Sequence, residues 1–486
     1  MLFNSYIFVF LFFPLVILGY YGLRCLGCQK LTMGFLIAMS MWFYGYDNIY
    51  YLGILLISIF LNYFLVQLMG RFKRKVPRTI VFLIGILLNL GILFYYKYYD
   101  FFIENVNYAA KTNFELLGLA LPLGISFYTF QQLSYVIDAY RRECEQYSLL
   151  EYAAYVSFFP QLIAGPIVYH DELIPQFRKK FSSLNYTNLS KGIYAFALGM
   201  AKKVLIADTF SKVVVVGYTD VGALNMVSAL IVMVCYSLQI YFDFSGYCDM
   251  ALGIGYLFDM ELPINFNSPY KAASIVEFWD RWHMTLTRFF TKYVYIPLGG
   301  SRRGRVRTYV NIFIVFFVSG IWHGANWTFL LWGMLNGIGN VLQKIFGRFF
   351  GWVPRAVGVL VTFGFSTFAW SLFRAESIAQ ARKLWGQLMV VGDGTIYKPI
   401  TDAFNELTEV KLLGRLGFGG VIDQAPWICF AVFIIAVTAA CFFLRNTQEK
   451  VQDMRYTAWR MAAVIGLLMW SILSLSDVSE FLYFNF

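Results

Sequence analysis

Charge is scarce in this chain. Asp, Glu, Lys and Arg make up 14% of its 486 residues, against about 25% in a soluble domain. With 59% hydrophobic and 20% aromatic residues and a mean hydropathy of +0.60, that shortfall excludes an ordinary soluble fold and defines a polytopic membrane protein. Internal repeats and low-complexity linkers are also missing. The chain therefore reads as one domain over 1–486, without the paired halves on which many transporters are built. No basic residue precedes the first apolar run, which is too long for the core of a secretory signal and lacks a small-residue cleavage site, so it is expected to stay as the first helix. The seven cysteines are an odd number, scattered mostly through apolar runs. Cys25-Leu-Gly-Cys28 has redox or metal spacing, but no second pair answers it, so a structural or incidental role is the simpler account and no metal site is expected.

What is present is span after span. A helix needs about 20 apolar residues to cross a bilayer, and helix is the form that satisfies the backbone there. Such runs lie near 4–23, 49–69, 78–96, 187–216, 222–242, 308–346, 353–373, 428–445 and 458–478, with a shorter one at 31–45. The expected fold is all-α, with about eleven transmembrane helices plus re-entrant and interfacial helices around a central tunnel. Lys and Arg in short loops set the orientation. Arg24 and Lys30 follow the first span, Asp47 alone follows the second, and Arg71, Lys73, Arg74, Lys75 and Arg78 follow the third, which puts the N-terminus outside. Arg302 to Arg307, Lys344 with Arg348 and Arg355, and Arg445 to Arg455 are all assigned to the cytoplasmic side. The net charge of +11 is then a consequence of topology in a cell membrane. A nucleic-acid footprint would need a basic patch on a soluble domain, and there is none.

Several stretches do not suit simple spans. Leu121 to Gln132 and Phe158 to Pro166 mix Pro, Gly and Gln with large apolar residues, as broken or re-entrant helices buried in protein do. The polar stretch 376–427 is assigned to the outside, as a partner-docking loop or an ordinary solvated connection. Tyr241-Phe-Asp-Phe-Ser-Gly-Tyr-Cys-Asp249 brings Asp243, Ser245 and Asp249 to the end of an apolar span, where helix capping is the simpler role for the carboxylates. Glu261 to Tyr270 is turn-rich and aromatic, an ordered cytoplasmic loop. Ser274-Ile-Val-Glu277 has capping-box spacing ahead of a helix over 278–290, on which Trp279, His283, Leu286 and Phe290 share one face and Arg281, Thr285, Arg288 and Lys292 another. Interfacial anchoring in membrane lipid accounts for its Trp and Arg residues, but not for His283 on the apolar face.

Only three histidines occur in the chain, and His323 lies in the apolar run Val318-Ser-Gly-Ile-Trp-His-Gly-Ala-Asn-Trp-Thr-Phe-Leu330. An ionisable side chain at membrane depth costs about 2.5–3.5 kcal/mol on insertion scales, so it is read first as functional. A helix starting near Thr308 carries His323 about 22 Å along its axis, past the middle of a core about 30 Å thick. The run 308–346 is too long for one crossing, so a break is expected at Trp322 to Asn326, with the chain returning toward Lys344. Gly320 and Gly324 would permit close helix approach there. A purely structural role, with the ring bonded to a carbonyl, is the simpler alternative.

Five segments together are specific. Asp-Phe-Ser-Gly-Tyr (243–247), Glu-Leu-Pro-Ile-Asn-Phe-Asn-Ser-Pro-Tyr (261–270), Phe-Trp-Asp-Arg-Trp-His-Met-Thr-Leu (278–286), Tyr-Val-Tyr-Ile-Pro-Leu-Gly-Gly (293–300) and Ser-Gly-Ile-Trp-His-Gly-Ala (319–325) resemble the membrane-bound O-acyltransferase superfamily, in its bacterial alginate O-acetyltransferase branch. The resemblance runs from Met1-Leu-Phe-Asn-Ser5 to Phe481-Leu-Tyr-Phe-Asn-Phe486. It implies that His323 matches the catalytic histidine and His283 the first polar signature residue. Trp282, Trp322, Asn326, Asp243 and Ser245 are the residues expected to line the substrate. Asn336 stands where many relatives carry a third histidine, and Asp280 where Arg is common. The branch moves acetyl groups from a cytoplasmic thioester, here expected to be acetyl-coenzyme A, toward a polysaccharide outside, with an extracytoplasmic SGNH-type acetyltransferase or similar partner completing the transfer.

The residues suit that chemistry. A neutral imidazole, with an unperturbed pKa near 6.5, can take the proton of an attacking hydroxyl, and a thiolate leaves without much acid assistance. His283, Asn326 or an indole N–H could face the oxyanion. Two rivals are D-alanyl transfer from a carrier protein to teichoic acid, which a donor assay separates, and transport without covalent chemistry, which predicts movement of substrate without acyl exchange.

Overall fold

Apolar runs of this length satisfy their backbone as helix, and the described residues of the computed structural model form helices joined by loops. It describes residues 1–180, 183–347, 352–455, 457–475 and 482. Arg348, the end of the 458–478 run and, apart from Leu482, the segment Phe481 to Phe486 lie outside the described residues. Among the described residues there is no named strand, and one isolated β-bridge joins Phe266 to Trp282. The chain divides into two compact units, 1–197 with 247–264 and 198–246 with 265–486.

The first unit contains α1 (Phe13–Cys25), α2 (Gln29–Gly45), α3 (Ile49–Arg71), α4 (Lys75–Leu93), α5 (Tyr99–Ala110), α6 (Ile125–Arg141), α7 (Leu149–Ser157), α8 (Phe159–Leu162), α9 (His170–Phe177) and most of α10 (Tyr186–Ala201). Phe3, Phe8, Phe12, Phe43 and Phe159 pack ring on ring in its core. Both irregular segments lie here. Gly124 takes a left-handed φ of 70°, and a Cβ there would stand 2.6 Å from the Leu162 carbonyl, so α6 starts behind a turn that needs glycine. Beyond it α6 is unbroken and almost wholly buried, with Gln131, Gln132 and Asp138 inside the protein. The second segment is broken as expected. At Phe158 (ψ 106°) the helix stops, and the Phe159 amide bonds to the Ser40 hydroxyl at 3.2 Å.

The second unit takes in α11 (Asp208–Thr219), most of α12 (Met226–Leu257), α13 (Ile275–Trp279), α14 (Met284–Phe290), α15 (Arg305–His323), α16 (Trp327–Ile345), α17 (Arg355–Arg374), α18 (Ile378–Gln387), α19 (Lys398–Asn405), α20 (Thr408–Leu413), α21 (Gly419–Gln424), α22 (Ile428–Phe443), α23 (Thr447–Gln452) and α24 (Ala458–Leu473). The stretch 376–427 is thus an ordered chain of short helices, pinned by Ile400 and Phe404, which are both buried.

Six helices among the described residues are long and apolar enough to cross a membrane. They are Phe8–Cys25, Ile49–Arg71, Lys75–Ala110, Met226–Leu257, Arg305–His323 and Arg355–Arg374, with a seventh if Thr408–Gln424 and Ile428–Phe443, bent by 99°, form one span. The all-helical, multi-pass class is the one expected. The count of eleven is not reached by this measure, because the runs at 31–45, 187–216 and 458–478 form helices that are too short or too polar.

Two local expectations are corrected. Helix α12 does not end at the carboxylates: it runs 32 residues through Asp243 and Asp249, so neither is a cap. The expected helix 278–290 is broken. Ser274 does cap it, accepting from the Glu277 amide at 3.0 Å, but α13 stops at Trp279 and α14 starts at Met284. Between them the backbone pairs with the 265–267 loop: the Asn267 amide donates to the Arg281 carbonyl at 2.9 Å and the Met284 amide to the Asn265 carbonyl at 3.0 Å. Those bonds replace helical ones, so Trp279, His283, Leu286 and Phe290 do not form one helical face.

The break in 308–346 falls where the sequence puts it, between α15 and α16. The two helices meet at glycines. A Cβ on Gly320 would lie 2.5 Å from the Phe329 carbonyl, one on Gly333 2.5 Å from that of Phe316, and one on Gly324 2.2 Å from the Phe329 ring. Backbone cannot yield as a flexible side chain can, so Gly320→Val forces the hairpin apart. We expect it to lower the thermal unfolding temperature in detergent by several degrees, while Gly364→Ala on α17, with nothing within 4 Å, leaves it unchanged. Equal melting of Gly320→Val and the parent would contradict the close approach.

Candidate active site

His323 is the last residue of α15. From Arg305, at the opposite end, the axis is about 27 Å long, so the imidazole stands nearly a full span from the arginine cluster. The turn that follows is held by one local and one long-range hydrogen bond. Gly324 is extended, and Asn326 is the N-cap of α16, its Oδ1 accepting from the Thr328 amide at 3.1 Å while its Nδ2 donates to the Glu376 carbonyl at 2.9 Å.

The His323 ring is 4% exposed and sits among aromatic edges. Ring centroids lie 4.9 Å away for Trp322, 5.0 Å for Trp332 and 5.1 Å for Phe373, each steeply inclined to the imidazole. Trp332 stacks on Trp370 at 5.6 Å, and Trp370 meets Trp282 at 4.8 Å. His283 belongs to the same cluster. Its ring is 6.0 Å from Trp322 and 4.8 Å from Phe244, so Trp322 is a shared neighbour of both histidines.

His283 is held unusually. Its φ of 47° and ψ of 49° are left-handed, a conformation that costs a non-glycine residue about 1–3 kcal/mol and that clusters at functional sites. Its Nδ1 is 3.1 Å from Asn265 Oδ1. The same oxygen accepts the Thr285 amide at 3.2 Å and the Thr285 hydroxyl at 2.9 Å. A backbone amide can only donate, so the Asn265 side chain is fixed with its oxygen toward this group. It follows that Nδ1 of His283 carries the proton and that Nε2 of the neutral ring is an acceptor. Asn265→Ala removes one acceptor from three donors. We expect a loss of about 1–3 kcal/mol in unfolding free energy with a fall in activity, read by melting and by turnover; a neutral variant would remove the positioning role.

The remaining expected site residues divide. Trp282 and Trp322 are buried in the aromatic cluster. Ser245 is buried on α12, and its hydroxyl has no protein hydrogen-bond partner, which leaves it able to meet a ligand. Asp243 is engaged: its Oδ1 is 2.7 Å from Lys203 Nζ, its Oδ2 accepts the Leu482 amide at 2.9 Å, and Lys203 also reaches Asp208 Oδ1 at 2.8 Å. All three ionised side chains are buried, and together they compensate charges that would be prohibitive alone. Asn326 is a helix cap, with its amide committed at both ends. Asn336 donates to the Trp332 carbonyl at 2.9 Å, helical back-bonding beneath one of the rings that touch His323.

Sequence reasoning missed Lys203 and Asn265. Lys203 carried a signal, an ionisable residue inside the apolar run 187–216; Asn265 had none beyond its place in a turn-rich loop. The third histidine, His170, belongs to the first unit. Its Nε2 is 3.2 Å from Asp138 Oδ2 and its Nδ1 is 3.0 Å from the Tyr147 hydroxyl, the pattern of a satisfied core histidine.

His323 thus stands at the turn of a helical hairpin among indole and phenyl rings, and comparison with known sequences supplies the class of protein. The model of MBOAT, the membrane-bound O-acyltransferase family, matches residues 115–378, and the chain belongs to that family: it is a multi-pass membrane acyltransferase. It is 37% identical to the peptidoglycan O-acetyltransferase of Helicobacter pylori, over 100% of this chain and 98% of that protein. It is 33% identical to the probable alginate O-acetylase AlgI of Pseudomonas putida, over 100% of both. More distantly, it is 25% identical to the teichoic acid D-alanyltransferase of Bacillus subtilis, over 52% of this chain and 69% of that protein.

Proposed function

We propose that this protein lies in the cell membrane with its N-terminus outside and moves an acetyl group from cytoplasmic acetyl-coenzyme A to a hydroxyl of an extracytoplasmic polysaccharide. The acceptor is either the glycan itself or an SGNH-type partner that passes the group on. The observation that carries this reading is the buried His323 at the end of α15, one indole away from His283. The end-to-end similarity to enzymes named for peptidoglycan and alginate acetylation supports an acetyl donor and a carbohydrate acceptor.

In this mechanism His323 takes the proton of the acceptor hydroxyl as its oxygen attacks the thioester carbonyl. The tetrahedral intermediate collapses by breaking its carbon–sulfur bond, and the coenzyme A thiolate leaves, taking the proton from His323. Since Nδ1 of His283 is committed to Asn265, we assign its Nε2 to accept a hydrogen bond from a second donor group of the acceptor, whose reacting hydroxyl gives its own proton to His323. The Trp322 indole N–H is assigned to the developing oxyanion, with Ser245 lining the acceptor. Donor and acceptor must reach one imidazole from opposite faces, so the aromatic rings around His323 form the wall of a narrow passage.

The test is to incubate purified protein with radiolabelled acetyl-coenzyme A and peptidoglycan fragments or alginate, with and without an extracytoplasmic partner, beside a D-alanyl carrier-protein donor. The reading expects acetyl label in glycan or partner. Transfer of D-alanine alone would replace it with the teichoic acid reading that the more distant relatives suggest.

A further inference from the structure

The second unit contains a cavity of about 1280 Å³ lined by residues between Leu198 and Ser474, in which none of His323, His283 or the tryptophans beside them takes part. It is larger than the roughly 300–1,000 Å³ typical of small-molecule pockets. Its lining includes both ends of α22, Ile428 and Leu444, so it extends over about 24 Å of helix. Its middle is apolar, walled by residues such as Leu205, Phe404, Phe433 and Val437. It opens to the surface through exposed apolar side chains, among them Phe418 at 54%, Val432 at 62% and Leu473 at 74%. A surface that apolar, in a membrane protein, faces lipid hydrocarbon.

The two ends of the cavity differ. At one, Glu409 accepts from Trp470 Nε1 at 3.1 Å and from the Ser474 hydroxyl at 3.3 Å. At the other, Arg445, Asn446, Thr447 and Lys450 follow the end of α22, and Lys202 is close enough to Cys441 to act on it electrostatically, as is Lys271. That end is tied down: Lys271 Nζ donates to the Leu444 carbonyl at 2.6 Å, Asn446 Nδ2 to Asn267 Oδ1 at 2.9 Å, and Arg445 pairs with Asp453 at 2.5 Å. The basic end coincides with the side assigned to the cytoplasm by its arginines, where anionic lipid headgroups concentrate basic residues.

We propose that this cavity is a binding site for one anionic phospholipid, its acyl chains along α22 and its phosphate between Lys202, Lys450 and Arg445. The hydrocarbon of such a ligand has its counterpart in the apolar wall, and its one negative charge in the basic end. Coenzyme A fits less well, because its polar pantetheine would replace water with some 24 Å of apolar wall.

Native mass spectrometry of the purified full chain, titrated with phosphatidylglycerol, phosphatidylcholine or inorganic phosphate, tests the assignment, with thermal unfolding as a second readout. One phosphatidylglycerol is expected to be retained per protein and to raise the unfolding temperature, with phosphatidylcholine bound markedly less and inorganic phosphate without effect. At about one kcal/mol for each basic residue near an anionic surface, Lys202→Gln with Lys450→Gln should weaken binding about thirtyfold. Ala440→Trp, which fills the cavity without touching charge, should abolish retention while the protein still melts cooperatively. Equal retention of the two lipids, stabilisation by inorganic phosphate alone, or retention undiminished in both variants would overturn the proposal. None of these outcomes bears on His323, so the acyltransfer reading stands or falls separately.

Discussion

His323→Gln is expected to lower acetyl transfer by about 10²–10⁴-fold, the range that a positioned general base contributes, while the protein melts as the parent does. Glutamine fills much the same space among Trp322, Trp332 and Phe373, so packing is nearly retained and proton acceptance is lost. His323→Ala removes the base as well, but also leaves a gap beneath three aromatic rings; the glutamine variant separates chemistry from stability. Transfer within a few-fold of the parent by folded His323→Gln would leave the ring a packing residue.

Lys203→Met should do the reverse, destroying stability first. It strips the countercharge from Asp208 and Asp243, both buried and both within 2.8 Å of the ammonium. Removing one partner of a buried ionic group typically costs about 3–5 kcal/mol, enough to bring a marginal protein close to unfolding. The informative companion is the triple variant Lys203→Met, Asp208→Asn, Asp243→Asn, which removes all three charges while keeping size. It should recover most of the loss, and the two unfolding midpoints in detergent, with the yield of monodisperse protein, read the difference. If Lys203→Met alone is as stable as the parent, the three charges do not form the compensated group described, and Asp243 becomes available again for substrate.

What the sequence revealed follows from how far apart the interacting residues lie. The α15–α16 hairpin was legible because its evidence is local: an apolar run too long for one crossing, a polar turn with His323 and Asn326, and glycines where the helices touch. The helical, multi-pass class was legible for the same reason. Helix α12 was misjudged because the carboxylate of Asp243 looked intolerable in an apolar helix, and its partner Lys203 lies forty positions earlier on another element. The segment 278–290 has sound helical spacing, yet pairing with 265–267 outcompetes it, and no periodicity within the segment reports a tertiary partner. Asn265, which sets the proton on His283, is hidden in the same way. The aromatic surroundings of His323 were only partly visible: Trp322 is its neighbour in sequence, but Trp332 and Phe373 come from later helices.

In the proposed reaction an acyl group passes from one side of the membrane to a hydroxyl on the other through His323. It is tested most directly in proteoliposomes of uniform orientation, with radiolabelled acetyl-coenzyme A supplied only on the side bearing Arg302 to Arg307 and the acceptor, with its partner if required, only on the opposite side. Label is predicted to appear on the sequestered acceptor in the parent protein and not in His323→Gln. Label that appears only when donor and acceptor share a compartment, or that crosses equally well without the imidazole, would contradict it.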